Sequence, residues 1–150
     1  MSAETAFIDV VSRVAEILRM APAVAGTVER NRLRTLPEEC RTAAVVRLSR
    51  SQPSLAEILG GSIDWRTAFA VECYARADSE QEMDAAVDPI LRAVYARLAA
   101  DETLGGAVMA LEAGAIEWEF STTSESVAVA VLNFSAMHQT AHHTLESIQP

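Results

Sequence analysis

Apolar residues recur at three- and four-residue steps from Phe7 through Val10, Val11, Val14, Ile17 and Leu18, while Asp9, Ser12, Arg13, Glu16 and Arg19 fill the other side. That spacing predicts an amphipathic helix over residues 3–20, punctuated by Pro22 and Gly26. The period then changes. Residues 27–34 read as a strand with Arg30, Arg32 and Arg34 on one face, and Pro37, Glu38 and Glu39 mark a loop. Residues 43–48 are rich in β-branched side chains and predict a second strand. Residues 50–61 read as a connection, broken by Pro53 and the pair Gly60 and Gly61. The clearest alternation is 62–74: Ile63, Trp65, Thr67, Phe69, Val71 and Cys73 against Asp64, Arg66, Ala68, Ala70, Glu72 and Tyr74. A period of two buries the first set.

The run Ser79, Glu80, Gln81, Glu82 has capping-box spacing, with Ser79 as the cap and Glu82 reaching back. It opens a long helix to about residue 100, buried through Met83, Ala86, Val87, Ile90, Leu91, Val94 and Leu98. Pro89 inside it predicts a kink, or a break with Asp88 capping a second helix. Residues 101–111 suggest a short helix or turn, weakened by Gly105 and Gly106. Alternation returns in 114–120 and 126–134 around a polar hairpin loop at 121–125. One face of the hairpin carries Ile116, Trp118 and Phe120, and the other carries Glu117 and Glu119. From residue 139 onward the pattern fades, and a frayed end is expected.

Helix, three strands, long helix, short helix, hairpin: this order predicts an α+β fold. Its architecture is a two-layer sandwich of an N-terminal and a long central helix on a mainly antiparallel or mixed sheet of about four to five strands. One domain over 1–150 is expected, with an ordered core at 3–137 and a flexible tail at 138–150.

Composition narrows the chemistry. The chain has 150 residues, half of them hydrophobic and 22% charged, in the range of globular proteins. No apolar run approaches the roughly 20 residues of a membrane span, so no membrane partner is expected. The first residues carry acids early, unlike a secretory leader. The net charge is −9, which disfavours a broad grip on a phosphate backbone. All 12 cations are arginine. The lack of lysine removes Schiff-base chemistry and the phosphate-loop lysine. Cys40 and Cys73 have no CxxC spacing, and Cys73 falls in an apolar set, as a core thiol does.

In its order and local texture over residues 3–137 the chain resembles the tail terminator family of long-tailed phages, the minor tail protein U-like proteins. The pieces that carry the likeness are the opening helix, the run Ala43, Ala44, Val45, Val46, Arg47, Leu48, and the Trp65 strand ending in VECYARAD. The acid-started helix DSEQEMDAAVDPIL with its proline and the closing hairpin WEFSTTSESVAVAVLNF complete it. The segment 50–61 and the tail after Met137 depart from the pattern. The resemblance implies an assembly protein without catalysis or cofactor. It implies a six-subunit ring that caps the tail tube, stops polymerisation and presents a head-docking surface. The implied partners are further copies of the chain, the tail tube protein and a head-completion protein, with DNA only as passing cargo in the lumen. The implied location is the virion tail, assembled in the cytoplasm of a bacterial host.

Each candidate residue also has a plainer reading. Arg30, Arg32 and Arg34, with Arg47, Arg50 and Arg66, either meet acids on a neighbouring subunit or the tube, or form solvated strand faces. Leu55, Ile58 and Leu59 either fold back as a small cluster or dock on a neighbour. Glu117 and Glu119 share a face. That face is solvated, or lines a lumen that repels passing DNA, or forms a carboxylate pair for hydrolysis. Trp65, Phe69, Trp118 and Phe120 are expected in the core. His138 and His142 share a helical face with His143 beside them, a weak metal pattern on what reads as an exposed tail. A head-completion or neck protein, and a small cytoplasmic enzyme or ligand-binding domain, are the alternative readings.

Overall fold

The computed structural model describes residues 4–30, 40–54, 62–78, 82–121, 126–141 and 143–148. In chain order the elements are α1 (Ala6–Arg19), β1 (Thr27–Arg30), β2 (Thr42–Pro53), β3 (Ser62–Arg76), α2 (Met83–Ala99), β4 (Ala110–Ser121), β5 (Val127–Ala141) and β6 (Ser147–Ile148). The strands form one mixed sheet in the order β1-β2-β3-β5-β4, with β6 paired to β5. Among the described residues β1 and β2 run parallel and the other pairings are antiparallel. The expected α+β two-layer architecture is therefore present, with six strands among the described residues.

Both helices lie on one face of the sheet. The stripe of α1 (Val10, Val11, Val14, Ile17, Leu18) and that of α2 (Val87, Ile90, Val94, Leu98) meet one set of strand residues. That set includes Ala44, Val46, Phe69, Val71, Cys73, Ala130, Leu132 and Phe134. The hydrophobic effect selects this arrangement, because a period-two strand exposes one apolar face and two period-3.6 helices cover it. In β5 the buried residues run Ala128, Ala130, Leu132, Phe134, Ala136, His138, Thr140, an unbroken alternation. The opposite face of the sheet carries no helix among the described residues.

Several expectations need correction. β2 does not stop at Leu48 but continues to Pro53, opposite Trp65. Among the described residues β1 pairs as far as Val46, and the distal half of β2 has no partner strand on that side. There a proline costs no ladder hydrogen bond. α2 starts at Met83, and Glu82 occupies the N-cap position with no side-chain cap. The rest of the predicted capping box, 79–81, lies outside the described residues, as does the hairpin loop at 122–125. α2 runs through Pro89 as one helix. Pro89 and Ala85 are both exposed, so the disrupted step lies on the solvent side.

Residues 101–109 form turns rather than a helix. Leu104, Gly105 and Gly106 all have positive φ, which a right-handed helix excludes. Arg13 Nε donates to the Leu104 carbonyl at 3.1 Å and ties this turn to α1. In place of the frayed end expected from residue 138, β5 continues to Ala141 and the chain folds back as β6 on Gln139 and Thr140. Polar residues hid this end, because an inward-facing histidine and threonine interrupt the apolar alternation.

Candidate functional site

The helix-free face of the sheet sets cross-strand polar pairs among buried and half-buried alanines and valines of β2, β3 and β5. Arg47 lies 3.2 Å from Glu72, and Arg66 lies 2.8 Å from Glu112. Tyr74 donates its hydroxyl to Glu72, and burial with that hydrogen bond pushes its pKa up to about 12. Gln139 donates to Asp64 at 2.7 Å, and Asn133 reaches the Ala115 carbonyl and the Glu117 carboxylate. Glu117 and Glu119 are exposed here on β4, on the same face as expected. Arg47 and Arg66 are thus held by acids of their own sheet. The exposed pair Arg66–Glu112 contributes little to stability, while Glu72 in the other pair is largely buried; both fix the charge pattern of the surface.

Arg30 and Arg50 behave differently. Both are exposed at the β1/β2 edge, and neither has a partner among the described residues. Arg32, Arg34, Leu55, Ile58 and Leu59 lie outside the described residues, as does His142.

The aromatic residues divide. Phe69 is fully buried and stacks on Phe134, with ring centroids 5.5 Å apart. Trp65 is partly buried, donates its indole N–H to Thr140 at 2.8 Å and meets the Phe7 ring edge-on at 5.1 Å. Trp118 and Phe120, expected in the core, are 48% and 49% exposed. They do sit on the helix-bearing face, paired with Ala130 and Ala128. But β4 is the outermost strand there, and α2 packs mainly on β3 and β5. Their rings are left as one wall of an open groove of about 670 Å³, whose other wall is Asp84, Ala85, Asp88 and Pro89 of α2. Sequence alternation reported the correct face and was silent about its cover. The available signal was the flanking charge: Glu117 and Glu119 on one strand, Asp84 and Asp88 on the facing helix.

His138 corrects the expectation of an exposed tail histidine. It is 3% exposed, on a strand rather than a helix. Its Nε2 lies 2.6 Å from the Thr67 hydroxyl, which also meets Ser51 at 2.9 Å. The Phe7 ring packs against the imidazole at 5.6 Å. His138 Nδ1 has no partner among the described residues. The imidazole borders a cavity of about 250 Å³ shared with Asp9, Ser12, Arg13, Glu16 and Ser147. Among the described residues no three histidines, cysteines or acids cluster as metal ligands. Cys73 is buried, and burial, with Glu72 nearby, raises its thiol to about 12, which keeps it protonated and unreactive.

Burial lowers the pKa of His138 below 6.5, so the fold favours its neutral form. The unfolded chain binds the extra proton first as the pH falls. Stability is therefore complete above pH 6.5 and declines below it until the folded-state pKa is reached. Asp9 on the same cavity has a raised pKa, from burial and then from Glu4, so its contribution has the opposite sign and a more acidic window. Urea melts between pH 7.5 and 5 are expected to show stability falling below 6.5 in the wild type and a flatter profile in His138→Gln. Parallel profiles would refute the assignment.

No family model and no curated protein matches the chain. Solved structures do. A chain described as "Virion of native gene transfer agent (GTA) particle" is similar with a TM-score of 0.56 at 15% identity, over 83% of this chain and 90% of that one. A second solved chain reaches 0.43 at 14% identity, over 87% and 93%. At such identity the similarity to the virion chain is one of fold: the same arrangement of elements over nearly the whole of both chains.

Proposed function

We propose that this chain is a non-catalytic virion assembly protein, a tail terminator that closes as a six-subunit ring on the end of the tail tube, stops polymerisation and presents the head-docking surface. The observation that carries this reading is the near full-length fold likeness to a chain of a gene transfer agent virion. The order of elements and the motifs that resemble tail terminators support it independently. In this reading the ring is built by contacts between unlike surfaces that close under rotation. The tube protein meets one face of the ring and the head-completion protein the other. DNA passes through the lumen, and Glu117 and Glu119 on the open sheet face are suited to a lumen wall because carboxylates repel phosphate. Assembly takes place in the bacterial cytoplasm, and the product is part of the virion tail.

The test adds the purified chain to growing tail tubes of the system that encodes it. Electron microscopy is expected to show capped ends and a single tube length, against a broad distribution without the protein. Binding to DNA-filled heads with no effect on tubes would replace the terminator with a neck protein. Turnover of a substrate that a single side-chain replacement abolishes would remove the assembly reading.

A further inference from the structure

Resting on the ring reading, we infer that the groove between α2 and β4 receives the β1/β2 edge of a second copy of this chain, with Arg30 of that copy entering between Trp118, Phe120 and Asp88. The two surfaces lie at opposite ends of one sheet, β4 closing one side and β1 the other. A contact between opposite edges is head-to-tail, and such contacts generate rings when the rotation closes.

The charges match on the helix-bearing face. On the helix-bearing face, the β4 end offers two half-exposed aromatic rings beside the carboxylates of Asp84 and Asp88. Asp88 has no partner among the described residues. On that same face of the β1 end stands Arg30, opposite Val46 in register, exposed and unpartnered among the described residues. A guanidinium fits such a groove: it stacks on aromatic faces and bonds carboxylates through its planar fork. On the helix-free face Arg47 is held by Glu72, and Arg50 lies in the row of Glu112, away from Glu117 and Glu119. A second copy laid edge to edge with its faces on the same sides sets Arg30 against Asp84, Asp88 and the two rings; on the helix-free face Glu117 falls in the row of Glu29, so that face adds no charge pairing. Register agrees on the helix side, where Trp118 falls in the row of Val28, two residues from Arg30.

The experiment compares wild type, Trp118→Ala, Asp88→Arg and Arg30→Asp by sedimentation velocity and native mass spectrometry, from micromolar to millimolar protein. Circular dichroism melts serve as a fold check. Wild type is expected to self-associate. Trp118→Ala, as the aromatic anchor, weakens association about 30-fold or more. Asp88→Arg and Arg30→Asp each abolish it alone, and their equimolar mixture regains it, because every junction of an alternating assembly then pairs opposite charges. The double variant regains it as well. A wild type that stays monomeric throughout, single variants that associate like wild type, or a mixture that stays apart would each overturn the inference. So would a monomeric wild type whose binding to tubes is blocked by Asp88→Arg, which assigns the groove to the tube protein. The same samples added to tail tubes separate the two readings. Capped tubes with undisturbed variants sink only the edge assignment, and charge-dependent rings that leave tubes uncapped sink only the terminator.

Discussion

Replacing Phe69 with alanine is expected to lower stability by about 3–5 kcal/mol, while Trp118→Ala leaves the monomer within about 1 kcal/mol of wild type. Both aromatics project from the helix-bearing face of one sheet. Phe69 lies on β3, beneath α2, with no exposed surface and with its ring stacked on Phe134. Truncating it removes the transfer energy of the ring and leaves a cavity that strands on either side prevent from closing. Against a total of about 5–15 kcal/mol for a domain, that is a large part of the margin. Trp118 lies one strand beyond the cover of α2 and is half in water already. Urea melts read the contrast directly: the Phe69→Ala midpoint falls steeply with an unchanged slope, and that of Trp118→Ala hardly moves. Equal losses at both positions would mean that the groove is closed in solution, and its availability to a second copy would fall with it.

That pair also marks how far the sequence could be read. Period fixes which face a side chain takes, and Trp65, Phe69, Trp118 and Phe120 each take the face that alternation gives them. Cover depends on which strand ends at the sheet edge and on how far a helix reaches across. Both are set by contacts between residues far apart in the chain. Trp118 and Phe120 therefore read as core by alternation and are exposed by topology. His138 is the converse case. A polar residue near the end of the chain reads as tail, yet the alternation of β5 continues through it because Thr67 satisfies one ring nitrogen in the interior. The continuation of β2 to Pro53 is hidden by a proline, which an edge tolerates, and among the described residues β2 beyond Val46 has no partner on its outer side. The helices were legible almost whole, since α1 and α2 each carry their own stripe and need no distant partner to declare it. Of the candidate contact residues, Arg30 and Arg50 could be singled out only once Arg47 and Arg66 were seen paired within the sheet.

Arg97 carries the second large effect, and nothing in the local pattern of α2 announces it. Its guanidinium reaches from the last turn of α2 to the end of α1 and donates to four carbonyls: Ile17 at 3.1 Å, Leu18 at 3.4 Å, Met20 at 2.7 Å and Pro22 at 2.5 Å. The final carbonyls of a helix have no partner within it, and the helix dipole makes that end negative. One planar cation therefore satisfies the α1 terminus and joins the two helices. Arg97→Met keeps the apolar stem and removes the fork, and a loss of about 2–3 kcal/mol is expected. Arg97→Lys recovers only part of it, because a single ammonium cannot span the four acceptors. The damage is directional. Arg19, in the last turn of α1, holds the Val28 carbonyl of β1 through two hydrogen bonds, so a loosened α1 end also loosens the strand that bears Arg30. Hydrogen exchange is expected to quicken in α1 and β1 of Arg97→Met while β3 and β5 keep their protection. If exchange instead rose evenly across the sheet, Arg97 would be one contributor to global stability among many, and the β1 edge would owe its shape to the strands alone.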